Sequence, residues 1–171
     1  LEDARELSAM INACSRLGYS DIALSLCLDD KNSRKKAEAI YADYKQHLIS
    51  ALNYAENNRT IGKDYVIINA KNKIKDTIIG TVASIISMSN RYEEGTIIIA
   101  MSYDKEKVKV SARLAGRNGR NVRKILEKTI ADIGGECGGH HQAAGCLFPK
   151  EKESEFLKSL IKNLELEVIK I

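Results

Sequence analysis

The apolar residues of this chain keep a helical period as far as residue 60 and then abandon it, and that change dictates the architecture. Ala4, Leu7, Met10, Ile11, Cys14 and Leu17 recur every three or four residues and Gly18 follows, which predicts an amphipathic helix with a glycine stop. Ser20 to Leu28 reads as a second, shorter helix. After the polar break Asp29 to Asn32, Ser33 is placed to cap a long helix whose stripe is Ala37, Ile40, Tyr41, Tyr44, Leu48, Leu52 and Ala55, ending in the loop Asn57 to Lys63. Beyond it, Tyr65 to Asn69 is a buried-type strand, Thr77 to Met88 a helix and Thr96 to Met101 a second apolar strand. Tyr103 to Glu106 turns the chain into Val108 to Arg113, where Val108, Val110 and Ala112 alternate with Lys109, Ser111 and Arg113, predicting a strand with one wet, basic face. A glycine-punctuated loop, Ala115 to Arg120, leads to Asn121 as the cap of a helix through Ile133, stopped by Gly134. Ala144 to Phe148 reads as a strand, Glu151 to Asn163 as an amphipathic helix and Leu166 to Lys170 as a last strand. The fold class expected is α/β (α+β): a helical linker region over 1–60, then a domain over 61–171 with a mixed sheet of about five strands flanked by helices.

Charge and cysteine usage narrow the function. Residues 102–125 hold eight basic side chains against Asp104 and Glu106, a net +6, while the rest of a chain of formal charge +4 carries −2. Charge concentrated in this way is expected on a surface that meets phosphates, or on a solvated face. The longest uncharged stretch, Thr77 to Asn90, is too short and too polar for a membrane span. The start, Leu1 to Glu6, has neither the basic lead-in nor the apolar core of a secretion signal, which predicts a cytoplasmic protein. Because Leu1 already stands within a helical pattern, the chain is expected to be part of a longer protein. None of the four cysteines forms a C-x-x-C pair. Cys137, His140, His141 and Cys146 make a C-x2-H-H-x4-C run, but adjacent histidines would have to splay apart and Cys146 opens an apolar strand, so no metal site is expected.

The segment with chemical character is 134–145, which holds Gly134, Gly135, Gly138, Gly139 and Gly145 around His140, His141, Gln142, Ala143 and Ala144. Glycines allow positive φ and let backbone amides converge on an anion, the two alanines leave room for a ligand at the main chain, and imidazole adds donors. It fits neither G-x-G-x-x-G nor the Walker pattern. Gly116-Arg117-Asn118-Gly119 has the spacing of a G-x-x-G clamp but follows a strand, and is at best a phosphate-facing loop. Aromatic residues make up 5%, with no tryptophan, which leaves base stacking on a sheet unsupported. His140, flanked by glycines, is the better ligand candidate. His141 stands between packing and binding, and His47 is structural or solvated. Arg113 is the candidate for a two-pronged phosphate contact, with a surface salt bridge as its alternative.

Val110-Ser111-Ala112-Arg113, then a helix, then Cys137-Gly138-Gly139-His140-His141-Gln142-Ala143-Ala144-Gly145 resemble the DHHA1 domain, whose hallmark is G-G-G-H-x-x-A-A-G after a V-S-x-R strand; Cys137 replaces the first glycine. Ile11-Asn12-Ala13-Cys14-Ser15-Arg16-Leu17-Gly18 resembles the I-N-A-A-G-R-L-G run of RecJ exonucleases, with Ser15 for a glycine, and Ile22 to Asp30 resembles the segment that follows it. Together these resemble the RecJ-like branch of the DHH superfamily, its archaeal members above all.

The resemblance implies a division of labour. A DHH domain supplies aspartates and histidines for two manganese or magnesium ions, and the DHHA1 domain closes over it to grip nucleic acid. Gly139-His140-His141 is not Asp-His-His and no aspartates stand at metal-ligand spacing, so the DHH domain is absent and this chain is expected to hold no cofactor and to hydrolyse nothing alone. The substrate-binding residues implied are Arg113, Gly138, Gly139, His140, Ala143, Ala144 and Gly145, with Ser111 in support and His141 beside them; Asn12 and Arg16 fall near the domain junction. The expected partners are single-stranded DNA or RNA and the missing DHH domain, in a nuclease of DNA repair and replication. A second reading is a non-catalytic scaffold that holds the GINS replication complex, as in some archaeal and eukaryotic RecJ relatives. A third is the DHHA1 part of a small-nucleotide phosphodiesterase or a tRNA-editing appendage. An upstream sequence with or without an intact Asp-His-His would separate the first two.

Overall fold

The computed structural model describes residues 3–166. The chain divides into two compact units, Leu1–Asn53 and Tyr54–Ile171, with the division inside its longest helix.

The first unit is helical. In α1 (Ala4–Leu17) the Asp3 side chain caps the start by accepting from the Arg5 N–H, and Gly18, at φ 90°, ends it in the left-handed conformation that glycine adopts at low cost. Asn12 and Arg16, one turn apart on α1, are joined by a 3.0 Å hydrogen bond from Arg16 Nε to Asn12 Oδ1. With α2 (Ser20–Cys27) and the start of α3 (Lys31–Asn57), α1 encloses a small core of Met10, Cys14, Ala23, Leu26 and Ala37. The residue that opens α3 is Asp30, not Ser33: its carboxylate accepts from the Asn32 N–H and, at 2.6 Å, from the Ser33 hydroxyl, which lies buried inside the first turn.

The second unit is built on the mixed sheet expected, with six strands among the described residues: β1 (Arg59–Ile61), β2 (Tyr65–Asn69), β3 (Ile97–Asp104), β4 (Lys107–Leu114), β5 (Glu136–His140) and β6 (Ala143–Pro149), in the order β1-β2-β3-β4-β6-β5. β2 and β3 are parallel, joined through α4 (Asp76–Met88), and every other pair is antiparallel. β1 occupies what reads as a loop, and β5 is the first half of the glycine-rich segment, which is therefore a strand and not a loop.

The two faces are covered differently. On one, α5 (Val122–Ile130) and α6 (Glu153–Leu166) lie over Val108, Val110, Ala112, Ala144, Cys146 and Phe148, with Phe148 stacked on Phe156 at 4.3 Å between ring centroids. On the other, α4 packs over β3 and β4 through Ile78, Ile79, Val82 and Ala83. Beyond α4 this second face is open, since Glu136, Gly138 and His140 of β5 are exposed. Asn121 caps α5 by accepting from the Lys124 N–H at 3.1 Å, and α5 stops at Ile130, three residues before the predicted end. α6 runs on to Leu166, so the predicted last strand loses its first residue to the helix; the rest of it lies outside the described residues. None of the described helices is long and apolar enough to cross a membrane.

Candidate functional site

Strand pairing assembles the site. Arg113 of β4 stands opposite Ala143 of β6, which stands opposite His140 of β5, so Arg113 and two residues of a hairpin some way along the chain form one rung across the sheet. The next rung in register is Ser111, Gly145 and Gly138, and the one after is Lys109, Leu147 and Glu136. Side chains two residues apart on a strand share a face, so all three rungs lie on the face that α4 only partly covers. The first rung lines an open cleft of about 800 Å³, walled by Ser84, Ser87 and Met88 of α4, by Asn90, Tyr92 and Glu94 after it, and by Gly116 and Arg117 after β4. The other two rungs line a groove of about 460 Å³ along the same face.

The predicted wet face of β4 is a covered one. Ser111 is buried and Arg113 half-buried because α4 lies against them, close enough that a Cβ on Gly80 would stand 3.1 Å from Ser111 Oγ. Arg113 is anchored there: Nε donates to Ser84 Oγ at 3.0 Å and Nη1 to the carbonyls of Ala112 at 2.8 Å and Ala144 at 3.4 Å. Ser84 in turn donates to the Gly80 carbonyl. A cation held in this way is oriented toward the cleft before any ligand arrives, which lowers the entropic cost of using it.

His140 is exposed, and its Nδ1 accepts from the Gln142 N–H at 3.4 Å, which turns the ring across the hairpin between β5 and β6. The hairpin is tied down by Gln142, whose carbonyl accepts from the Leu114 N–H and whose Nε2 donates to the Arg117 carbonyl, and by Arg123, which donates to the Gly139 carbonyl. His141 faces solvent outside the cleft lining, and its carbonyl accepts from the Val122 N–H at the start of α5. Ala144 points into the core on the opposite face. The two thiols of the C-x2-H-H-x4-C run pair across the strands on that core face, and His140 lies on the other, so strand alternation separates the four groups. Burial holds the Cys146 thiol far above its usual range. Among the described residues no three His, Cys, Asp or Glu side chains are grouped to hold a metal.

The five glycines of the segment serve different ends. Gly139, at φ 126°, sits where a Cβ would come 2.4 Å from the Ala143 carbonyl oxygen, so its glycine is demanded by the hairpin backbone. At Gly138 a Cβ would meet nothing within 4 Å and the φ is ordinary. The backbone there does not require glycine, and its absent side chain leaves the open face flat.

The basic window is less concentrated than its sequence. Lys109 pairs with Asp76, Arg123 with Glu127, and Arg120 donates to the carbonyls of Leu164 and Asp64. Arg113 and Arg117 are the members that line the cleft. Residues that sequence reasoning did not assign to the site are Ser84, Ser87, Asn90, Tyr92, Glu94 and Gln142; the serines at one-turn spacing in the second half of α4 were the available signal.

Residues 62–166 match the model of the DHHA1 domain, and the chain belongs to that family. It is 29% identical over 163 residues to an uncharacterised protein of Methanocaldococcus jannaschii, a match over 92% of this chain and 34% of that protein. Among solved structures, RecJ from Thermus thermophilus in complex with manganese superposes with a TM-score of 0.70 at 20% identity, over 89% of this chain and 22% of RecJ. A pGpG-specific phosphodiesterase from Vibrio cholerae superposes with a TM-score of 0.55 at 14% identity, over 87% of this chain and 51% of that one. These likenesses are of fold. The chain spans about a third of the length of its curated relative and about a fifth of RecJ.

Proposed function

We propose that this chain is the single-strand-binding part of a RecJ-like exonuclease of the DHH superfamily, and that the metal-dependent hydrolysis belongs to a companion DHH domain. The observation that carries the reading is the rung Arg113–Ala143–His140, a pre-oriented guanidinium and an exposed imidazole on either side of a nearly side-chain-free floor. Arg113 offers a phosphodiester the fixed positive charge of an anchored guanidinium, His140 adds a donor, and the small residue between them lets the backbone of the strand lie against the sheet. The same face carries two more rungs, on the order of 14 Å at two residues per step, which line a second groove whose far rung holds Leu147 and the exposed Glu136. An open track of that kind favours a strand over a small nucleotide, which a closed pocket would suit better. Among the described residues no cluster would seat the manganese or magnesium of such an enzyme, and no catalytic step is assigned to them.

The test is titration of a fluorescently labelled single-stranded oligonucleotide with the chain at about 50 and 200 mM salt. Binding is expected to be weak and to fall by roughly tenfold or more between the two, since each phosphate neutralised releases condensed counterions. The same mixture with manganese or magnesium is expected to leave the strand intact. Absence of binding at either salt would overturn the reading and favour the protein-interaction alternative; steady metal-dependent degradation would overturn the assignment of hydrolysis elsewhere.

A further inference from the structure

The loop after β4 already binds an anion, and that anion is the protein's own. Glu94 Oε1 accepts from the backbone N–H groups of Arg117 and Asn118, both at 3.0 Å, and from Asn118 Nδ2 at 3.1 Å. Three donors converging on one oxygen are the arrangement that receives phosphate oxygens in anion-binding backbone nests. Gly116 makes it available twice over: its φ of 74° turns the following amides to one side, and a Cβ there would stand 2.6 Å from Glu94 Cγ. Those amides hold the Glu94 carboxyl below the usual carboxylate range, so the group that occupies the nest is an anion.

Glu94, Gly116, Arg117 and Asn118 are all exposed, so the carboxylate can leave without opening the core. Glu94, Gly116 and Arg117 also line the cleft that holds Arg113 and His140. We propose that the Gly116–Gly119 loop is a second phosphate-binding subsite of this cleft, kept by the Glu94 carboxylate in the free protein and taken over by a phosphodiester of the bound strand. The chemical class of the ligand is a phosphodiester monoanion, whose two non-bridging oxygens can replace the carboxylate oxygen as acceptor. Glu94 thereby sets a threshold: it keeps the nest formed and excludes weaker anions, and a strand already held at Arg113 supplies the local concentration needed to displace it. This inference rests on the single-strand reading for the identity of the ligand; the anion site itself does not.

Two measurements on the whole chain test it. In Glu94→Ala, inorganic phosphate should shift the backbone amide NMR signals of Arg117 and Asn118 at concentrations that leave them unmoved in the parent. In the strand titration, Glu94→Ala and Glu94→Gln should both bind three- to tenfold more tightly than the parent, whereas Glu93→Gln, which removes the same charge one residue away, should change affinity by less than twofold. Phosphate that fails to move the two amides in Glu94→Ala would overturn the proposal whatever the strand affinity does. So would Glu94 variants that melt lower and bind the strand more weakly, because Glu94 would then be a clasp that shapes the loop. A parent chain that binds no strand would refute the proposed function, and the phosphate arm would still decide the nest.

Discussion

Replacing Gly139 by alanine is expected to cost about 2 to 5 kcal/mol of stability, the combined effect of a strained backbone and an overpacked contact. A Cβ at that position would lie 2.4 Å from the Ala143 carbonyl oxygen and 2.5 Å from Ala144 Cα, both backbone atoms that cannot rotate away, and φ 126° is a region L side chains avoid. The β5–β6 hairpin must therefore open to accept it. At the adjacent Gly138 the outcome should invert. A Cβ there meets nothing within 4 Å, the φ is ordinary and valine suits an edge strand, so Gly138→Val should melt within a few degrees of the parent. It would nevertheless stand on the open face in the second rung and should weaken strand binding by at least tenfold. Thermal melts beside the titrations check both. Equal losses of stability in the two variants would mean that the glycines share one structural task.

Arg113→Ala should weaken binding of a labelled single strand by about 10- to 100-fold, the loss of a charge-assisted contact worth roughly 1.5 to 3 kcal/mol. The same change at Lys105, in the turn between β3 and β4, should cost less than threefold. Arg113→Lys should recover only part of the loss, because an ammonium keeps the charge but cannot hold Ser84 and a phosphate in one plane. Since the guanidinium also donates to the Ala112 and Ala144 carbonyls, a modest drop in melting temperature should accompany Arg113→Ala. Unchanged affinity in both Arg113 variants would leave this side chain as a strut between α4 and the sheet.

How far the chain could be read from its residues depended on whether the signal was local. Ala4–Leu17 and its Gly18 stop are written in one period and one cap, and the structure places both as expected. β2, β3 and β6 are apolar enough to announce themselves. β1 is three residues long with two of them polar, and it exists because β2 offers it an edge. β5 contains two glycines, poor strand formers that only the pairing with β6 makes extended. Alternation along β4 divided its residues correctly into two faces but could not say that α4 covers one of them; Gly80 and Ser84 are what let the helix come so close. The rung of Arg113, Ala143 and His140 was present in the motif as residue types, while its geometry depends on the antiparallel register of three strands. Glu94 lies more than twenty residues from the amides it caps, and nothing local to it marks that contact.

A bound single strand is expected to lie across the open face of the sheet, between α4 and the β5–β6 hairpin. Amide hydrogen exchange with and without a saturating oligonucleotide tests it most directly, because protection reports where backbone and local structure are held. Slowed exchange is predicted at residues 138–143, at 113–119 and along 84–92, with α1 and α2 unchanged. Protection confined to residues 4–27, or none at a concentration where the labelled strand is fully bound, would contradict it.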